Sequence, residues 1–339
     1  MKAAVLDQFN HPLNVREMAD PEPGLGEVIV RTRAAGICRT DLKVIEGAIR
    51  TVETPLILGH ELAGEVVALG PGARGFKEGS RVCVGLDITC GICDYCRRGE
   101  LDHCANLLRL GLERDGSLAD YVRVPASNLI GIPPPVTFAQ AATVPDAIGS
   151  PYHAVLNRAG VRAGQIVAVY GLGGLGLSAV QVAVVAGARV IAIARTKERR
   201  ALAEELGATW SIDPNDGEVS EQIRDLTDGL GVHAFIDLVG IDGSADQGVL
   251  SCRKGGKVVV VGYFVPRLTA GMMRLVYDEV AIIGSRSSTR GELLEAMALV
   301  AQGRVQPVIG AELELDDVNE GLDRLRAGTV IGRAVVNFA

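Results

Sequence analysis

The chain has few aromatic residues and no excess of positive charge. Phenylalanine, tyrosine and tryptophan make up only 4% of its 339 residues, so its cores must consist mainly of valine, alanine, isoleucine and leucine. Its formal net charge is −7 and its isoelectric point is about 5.4. Such a chain lacks the basic surface that attracts nucleic acids and anionic membranes. The acidic net charge argues against nucleic-acid or membrane binding as its main function.

No segment is typical of a secretion signal or of a membrane span. The first residues, Met1–Asp7, are too few and too polar for a signal peptide. Residues 163–188 carry no charge and are long enough to cross a bilayer, but Gln165, Gln181 and several glycines interrupt them. A strand, a glycine turn and a helix explain this segment better than a membrane span does.

The seven cysteines are not typical of a disulfide framework. Their number is odd, and a long chain without a secretion signal seldom needs such a framework. We therefore expect a cytoplasmic protein whose thiolates bind metal.

Four of these cysteines lie close together in the sequence, at Cys90, Cys93, Cys96 and Cys104. Four thiolates at short spacing suit a closed, tetrahedral zinc site. An iron–sulfur cluster and unliganded thiols are the alternatives, and the rest of the chain favours zinc. Because thiolates fill all four positions, this metal should only order its loop.

A second metal site is indicated by Cys38 and His60, which lie outside that cluster. Cys38 stands in Gly36-Ile37-Cys38-Arg39-Thr40-Asp41, and His60 stands in Gly59-His60-Glu61. A thiolate and a neutral imidazole are typical ligands of a catalytic zinc, which has three protein ligands and one open position. Asp41 is predicted to orient His60 by accepting its second ring proton. A histidine alone is more typical of a core, but Glu61 and Cys38 beside it favour the metal.

The sequence predicts two domains, as its length suggests. Short alternating apolar runs such as Glu27–Arg31 predict antiparallel strands of a barrel-like domain. After about Pro151 strands alternate with helices, which predicts a parallel sheet with helices on both faces. The last strand, Val335–Phe338, is predicted to rejoin the first domain. We assign residues 1–150 and 286–339 to the first domain and 151–285 to the second.

A glycine-rich turn, Gly171-Leu172-Gly173-Gly174-Leu175-Gly176, follows the apolar run Ile166–Tyr170 and opens a predicted helix. Its glycines let backbone amides approach a pyrophosphate at the helix N-terminus, so the turn predicts a dinucleotide site. NAD would need an acidic residue at the end of the next strand, where the chain has Ala194-Arg195-Thr196. Because Arg195 can pair with a 2′-phosphate, we favour NADP(H) over NAD(H), with Thr196 beside it. The alternative is that these residues form a solvated helix start.

In order and spacing, these motifs resemble the zinc-dependent alcohol dehydrogenases of the medium-chain dehydrogenase/reductase family. The resemblance covers essentially the whole chain. It implies an α/β protein with a GroES-like β-barrel catalytic domain and a Rossmann, doubly wound parallel-sheet cofactor domain. It also implies an active site in the cleft between the domains and a homodimer or homotetramer.

The resemblance implies roles for single residues. Many members place a third zinc ligand, a cysteine, in the segment that leads into the cofactor domain, and here Asp146 takes that place. Glu61 resembles a glutamate that can approach the metal, and Thr40 a residue whose hydroxyl contacts the substrate oxygen. Lys43 stands where many relatives end a proton relay with histidine, and it is either part of that relay or a plain surface lysine.

The resemblance also extends to the cofactor and the reaction. Arg39 resembles a pyrophosphate-binding residue, and Ser150 is placed near the nicotinamide. We expect hydride transfer between the dinucleotide and an alcohol/aldehyde or ketone pair, with zinc acidifying the bound alcohol. Alternatives are a dehydrogenase for a special alcohol, such as a polyol or a CoA-linked cyclic alcohol, or a dinucleotide-binding protein with structural zinc only. A zinc-free quinone or enoyl reductase is disfavoured by the two metal sets.

Overall fold

The computed structural model describes residues 1–263, 269 and 271–339, which divide into two compact units. The first unit contains Met1–Gly149, Ser287–Gln302 and Pro307–Ala339, and the second contains Ser150–Arg286 and Gly303–Gln306. The first unit is therefore discontinuous in sequence. The assignment of a catalytic and a cofactor domain with boundaries near 150 and 286 stays a prediction. Strands and helices are numbered below along the whole chain.

The first unit is built on β-sheets. Its strands are β1 (Lys2–Leu6), β2 (Asn14–Glu17), β3 (Glu27–Ile37), β4 (Leu56–Ile57), β5 (Glu61–Leu69), β6 (Arg81–Val84), β7 (Asp87–Ile88), β8 (Leu108–Arg109), β9 (Tyr121–Pro125), β10 (Leu129–Gly131), β17 (Ile309–Leu313) and β18 (Arg333–Asn337). The largest sheet has the order β10-β6-β5-β3-β18-β17, with β9 also paired to β3. Its pairs are antiparallel except β17 with β18. Smaller sheets have the orders β2-β1-β4 and β7-β8.

Strand β3 contributes to two apolar clusters of this unit. Val28 and Val30 pack in one cluster, and Ala35 and Ile37 pack in the other. Fully burying a Val, Leu or Ile side chain stabilises a fold by about 1.5–3 kcal/mol. The helices of this unit are α1 (Arg39–Ile45), α2 (Asp94–Arg97), α3 (Phe138–Ala142), α10 (Arg290–Ala301) and α11 (Val318–Arg326). A π-helical turn, Val144–Ile148, follows α3, where the sequence predicts only a helical segment towards Asp146.

The second unit alternates strands and helices. Its strands are β11 (Ile166–Tyr170), β12 (Arg189–Ile193), β13 (Trp210–Ile212), β14 (Val232–Asp237), β15 (Cys252–Val260) and β16 (Ala281–Gly284). The helices are α4 (Gly149–Tyr152), which begins at the border of the unit, α5 (Gly174–Val185), α6 (Lys197–Glu205), α7 (Val219–Leu226), α8 (Ser244–Ser251) and α9 (Met272–Tyr277). All pairs in the sheet are parallel, in the order β13-β12-β11-β14-β15-β16. The strand order reverses between β11 and β14, and such sheets bind ligands at the carboxyl ends of the strands there.

The charge-free segment of residues 163–188 forms β11, the glycine turn and α5, as the sequence predicts. Strand β11 is central in the sheet and its residues Val167, Ala168 and Val169 are fully buried, which explains the lack of charge. Within the described ranges, no helix combines the length and apolar character that crossing a bilayer requires.

Candidate active site

Helix α1 begins directly after Cys38, and this start positions the first candidate ligand. The backbone N–H of Cys38 donates to the Asp41 carboxylate at 2.8 Å, which caps the helix. Cys38 directly follows the long strand β3, so strand and cap together fix its backbone. Asp41 is buried beneath it, on the side of the helix that faces the core.

Four side chains meet beside that helix start. One donor atom from each of Cys38, His60, Glu61 and Asp146 lies within 4.8 Å of the others. Cys38 Sγ is 3.3 Å and His60 Nε2 is 3.7 Å from Asp146 Oδ2. Donor atoms around a tetrahedral zinc lie roughly 3.3–3.8 Å apart, given the usual metal–ligand lengths. The sulfur, nitrogen and oxygen donors present therefore fit a zinc ion, and Asp146 is the carboxylate that completes a three-ligand set.

His60 is held by carboxylates on both ring nitrogens. Its Nδ1 lies 3.3 Å from Asp41 Oδ1, although neither atom forms a hydrogen bond of ordinary geometry. Burial lowers the pKa of the imidazole, but Asp41 and Asp146 raise it by more, so its pKa lies well above the ordinary value. A metal ion binds the neutral imidazole, so it must compete with a proton for this ring.

Arg333 is a member of this site that the sequence reasoning missed. Its Nη2 lies 2.6 Å from Glu61 Oε1 and donates a hydrogen bond of 2.8 Å to Asp146 Oδ2. Burial raises the pKa of Glu61 to about 8, against the opposing effect of Arg333. The available signal was a charged residue at the start of strand β18, directly before the apolar residues Ala334–Val336. That strand pairs with β3 through Ala334 and Ile37, which brings Arg333 level with Cys38.

A glycine makes room for the Glu61 carboxylate. Gly36 and Glu61 are register partners in β3 and β5. A Cβ atom at Gly36 would lie 1.8 Å from Glu61 Oε2, far inside van der Waals contact. The Gly36 position therefore lets a fully buried carboxylate lie over the strand and reach the site.

The predicted relay residues lie on α1. Thr40 Oγ1 is 3.8 Å from Cys38 Sγ, so the hydroxyl lies at the edge of the ligand cluster. Lys43, one turn further along, is half-buried. Burial lowers the pKa of its ammonium to about 8, Arg39 adds to that effect, and the Cys38 thiol opposes it. Arg39 is the first residue of α1 and is exposed.

The four clustered cysteines also meet. Donor atoms of Cys90, Cys93, Cys96 and Cys104 lie within 4.8 Å of one another. Backbone N–H groups of Ile92 and Cys93 lower the pKa of Cys90 to about 6, so a thiolate is favoured there before any metal binds. The sulfur-only donor set fits a closed structural zinc.

In the second unit, the glycine turn has the shape of a phosphate cradle. Gly171 has φ +100°, and a Cβ at Gly176 would lie 1.8 Å from the Gly171 carbonyl oxygen. A Cβ at Gly173 would meet no atom within 4 Å, so the turn is open on that side. Gly174 and Leu175 begin α5, whose free N–H groups suit a pyrophosphate.

The end of β12 carries the predicted specificity residues. Arg195 is exposed and Thr196 precedes α6. Arg200 donates to the carbonyls of Ala194 and Arg195 and to Asp213 Oδ2, at 2.6, 3.0 and 2.6 Å, so it braces this turn. In addition, Arg199 Nη1 donates to Leu172 O at 3.2 Å and so reaches the glycine turn. Ser150, the first residue of the unit, is buried.

Comparison with known proteins assigns both halves of the chain. The family model of the alcohol dehydrogenase GroES-like domain matches residues 24–134, and that of the zinc-binding dehydrogenases matches residues 174–302. An alcohol dehydrogenase of Geobacillus stearothermophilus is 36% identical, with 99% of each chain covered. An acryloyl-coenzyme A reductase of Metallosphaera sedula is 32% identical, again with 99% of each covered. The crystal structure of the Aeropyrum pernix alcohol dehydrogenase superimposes with a TM-score of 0.93 at 34% identity, with 100% of both chains covered. The predicted fold class is thereby confirmed.

Proposed function

The chain belongs to the medium-chain zinc alcohol dehydrogenases, and from that premise we propose that it exchanges a hydride between a nicotinamide dinucleotide and an alcohol/aldehyde or ketone pair. The observation that carries the proposal is the convergence of buried Cys38 and His60 with the partly buried Asp146, which brings sulfur, nitrogen and oxygen donors together. Three ligands of this kind leave a fourth position for substrate. Zinc held there would act as a Lewis acid on the substrate oxygen.

Arg333 and Glu61 keep the charge of this site in balance. Two carboxylates and a thiolate in one buried cluster would repel one another, and Arg333 lies within 2.8 Å of both carboxylates. Its hydrogen bond to Asp146 Oδ2 therefore helps to hold that carboxylate in place beside Cys38. Glu61, the fourth possible donor, is kept next to the cluster but paired with Arg333.

Protons at the substrate oxygen are assigned to Thr40 and Lys43. The Thr40 hydroxyl lies beside the Cys38 sulfur, where it can hydrogen-bond to an oxygen in the open position. Lys43, with a pKa lowered to about 8, can take a proton during alcohol oxidation and return it during carbonyl reduction. Both groups lie on one helix, so the path has a fixed geometry.

The dinucleotide is assigned to the glycine turn, with Arg39 at its pyrophosphate and Ser150 at its nicotinamide. Arg195 and Thr196, at the end of β12, favour NADP(H) over NAD(H), because an arginine can pair bidentately with a 2′-phosphate. The absence of a carboxylate at Ala194 supports the same preference. The second zinc, on the four clustered cysteines, would order its loop without touching substrate.

The test is a matched assay of NADPH and NADH oxidation with aliphatic, aromatic and cyclic aldehydes and ketones. We expect turnover with NADPH preferred, and loss and recovery of turnover when zinc is removed by a chelator and restored. Turnover with NADH alone would refute the cofactor preference only. Loss of zinc without any kinetic change would refute the catalytic role of the metal.

A second candidate substrate class is favoured by one relative. The protein from Metallosphaera sedula is an acryloyl-coenzyme A reductase and matches over the whole chain. Acryloyl-CoA therefore belongs in the substrate panel. Reduction of its carbon–carbon double bond, with no activity on simple carbonyls, would replace the alcohol assignment.

By family, the enzyme is proposed to be a homodimer or homotetramer, which light scattering measures directly.

A further inference from the structure

A fully buried carboxyl group organises the loop that follows β14. Asp237 is 0% exposed and ends that strand. Its Oδ1 accepts hydrogen bonds from the backbone N–H groups of Val239 and Gly240, both at 3.0 Å. Its Oδ2 lies 2.6 Å from the Ser244 hydroxyl, at the start of α8. The loop of residues 238–243 is therefore folded around this one side chain.

That loop packs directly on the glycine turn. The N–H of Leu238 donates to the Tyr170 carbonyl at 3.0 Å, which ties the loop to the end of β11. A Cβ at Gly171 would lie 2.7 Å from Val239 Cγ2. Gly171 has φ +100°, a conformation that glycine adopts without strain. Val239 thus packs against Gly171, the residue of the turn that has a positive φ.

The end of β15 is held by the same residue. The Asp237 carbonyl accepts hydrogen bonds from the N–H groups of Val261 and Gly262, at 2.9 and 3.0 Å. A Cβ at Gly262 would lie 2.6 Å from the Gly240 nitrogen, so these segments are also in close contact. Three strand ends, those of β11, β14 and β15, are locked together around Asp237. They lie at the reversal of strand order, where sheets of this type bind their ligands.

We propose that Asp237 is a positioning residue for the dinucleotide, acting through Val239 on Gly171 so that the glycine turn presents its amides to the pyrophosphate. This inference rests on the proposed function, because it assumes that the turn binds a dinucleotide. Asp237 itself touches no part of the cofactor site in this scheme. It sets the position of the loop of residues 238–243, against which the glycine turn is packed.

The hydrogen bonds of Asp237 indicate which substitutions preserve the position of this loop. The Ser244 hydroxyl has one proton and lies 2.6 Å from Asp237 Oδ2 and 2.8 Å from the Ile241 carbonyl. In Asp237→Asn the amide oxygen can accept from both N–H groups and the amide nitrogen can donate to Ser244. Ser244 then donates to Ile241. Asp237→Ala, in contrast, leaves the N–H groups of Val239 and Gly240 without their acceptor.

The experiment measures dinucleotide binding by fluorescence titration of the full chain with NADPH and with NADH. For Asp237→Ala we expect the dissociation constant to rise about tenfold, about 1.4 kcal/mol. The single-turnover rate of hydride transfer at saturating cofactor should stay within about twofold of wild type. Asp237→Asn should restore the affinity to within about twofold. Ser244→Ala removes only one contact of Asp237 and should give a smaller rise in the dissociation constant. This variant replaces Asp237→Ala in the test if Asp237→Ala does not fold.

Thr227→Ala is the matched control at the opposite end of β14. Its hydroxyl is buried and accepts from the N–H of Gly231, just before the strand, at 2.9 Å. This variant should lose stability but keep the wild-type affinity. An unchanged affinity in Asp237→Ala and Ser244→Ala, an equal loss in Thr227→Ala, or an equal loss in Asp237→Asn would overturn the proposal.

Hydrogen exchange of the cofactor-free protein separates this proposal from the proposed function. We expect faster exchange in residues 171–176 of Asp237→Ala than of Thr227→Ala. Faster exchange there with wild-type dinucleotide affinity would refute the positioning role alone. A wild-type chain that binds neither dinucleotide would refute the proposed function, and the role of Asp237 with it.

Discussion

Replacing Arg333 with methionine should destabilise the metal-free protein strongly and the zinc-loaded protein much less. Arg333 is 5% exposed, and its Nη2 lies 2.6 Å from Glu61 Oε1 and 2.8 Å from Asp146 Oδ2. Methionine keeps much of the volume but leaves these two carboxylates without that cation. Removing one partner of a buried ion pair costs about 3–5 kcal/mol. Bound zinc supplies positive charge at the same cluster, so it should offset much of that loss.

The assay is thermal unfolding, followed by circular dichroism, of protein from which zinc has been removed and to which it has been restored. A loss of 1 kcal/mol shifts the midpoint of a domain of this size by about 2–4 °C, so we expect a shift of roughly 6–20 °C without zinc. With zinc the shift should fall to about half or less.

The same variant should change the pH dependence of stability. Burial raises the pKa of Glu61 to about 8 from its ordinary 4.5, so the metal-free folded state holds a proton that the unfolded chain releases. Stability from this group therefore falls as pH rises from about 4.5 towards 8. Because Arg333 opposes the rise in pKa, Arg333→Met should extend the fall to higher pH.

Glu61→Gln provides the control at pH above about 8, where Glu61 is ionised, since it removes the charge that Arg333 neutralises. The double variant Arg333→Met/Glu61→Gln should be more stable than the sum of the single effects, by about 1–3 kcal/mol. Equal midpoint shifts with and without zinc, or no rescue by Glu61→Gln, would refute the role of Arg333 as the counter-charge of the metal ligands.

Other changes test the remaining assignments. In a pH–rate profile of alcohol oxidation, Lys43→Met should remove the rise in rate through about pH 8 and lower kcat about tenfold or more. An unchanged profile would make Lys43 a plain surface lysine. Cys90→Ser should lower the zinc content by one ion and lower the unfolding midpoint, while the metal at Cys38 and its chemistry remain. Loss of both zinc ions would show that the two sites are coupled. Arg195→Asp should shift the NADPH/NADH ratio of kcat/KM at least about tenfold towards NADH. Lys197→Asp makes the same charge change two residues further on and should not shift this ratio. Equal shifts in the two variants would mean that surface charge alone, and not contact with Arg195, sets the preference.

Local patterns in the sequence were sufficient for the features whose residues are close together. The glycine turn lies between β11 and α5 as predicted, because a buried strand, a glycine turn and a helix start are all local signals. The four clustered cysteines meet because their spacing fits within one loop. Asp146 needed more than local pattern, since its partners Cys38 and His60 are about a hundred residues away. The family resemblance supplied that link, and the structure places the three donor atoms together.

Arg333 and Asp237 show what local patterns do not reveal. Arg333 reaches the site only because β18 pairs with β3 in one particular register, which depends on the fold of the whole first unit. Asp237 is a single acidic residue at a strand end, and its partners lie on a loop and a helix that follow. Arg200 likewise has no local signal of its partners, which are Asp213 and two backbone carbonyls. In each case the partner is set by tertiary packing.

The most direct test of the catalytic site is to measure zinc content and turnover of Cys38→Ser beside the wild type. We expect two zinc ions per chain in the wild type and one in Cys38→Ser, with an unfolding midpoint close to that of the wild type and unchanged dinucleotide affinity. Turnover should fall on the order of 10³-fold, since the Lewis acid supplies several kcal/mol to the transition state. A Cys38→Ser protein that keeps one zinc but turns over at the wild-type rate would contradict a catalytic metal at Cys38, His60 and Asp146.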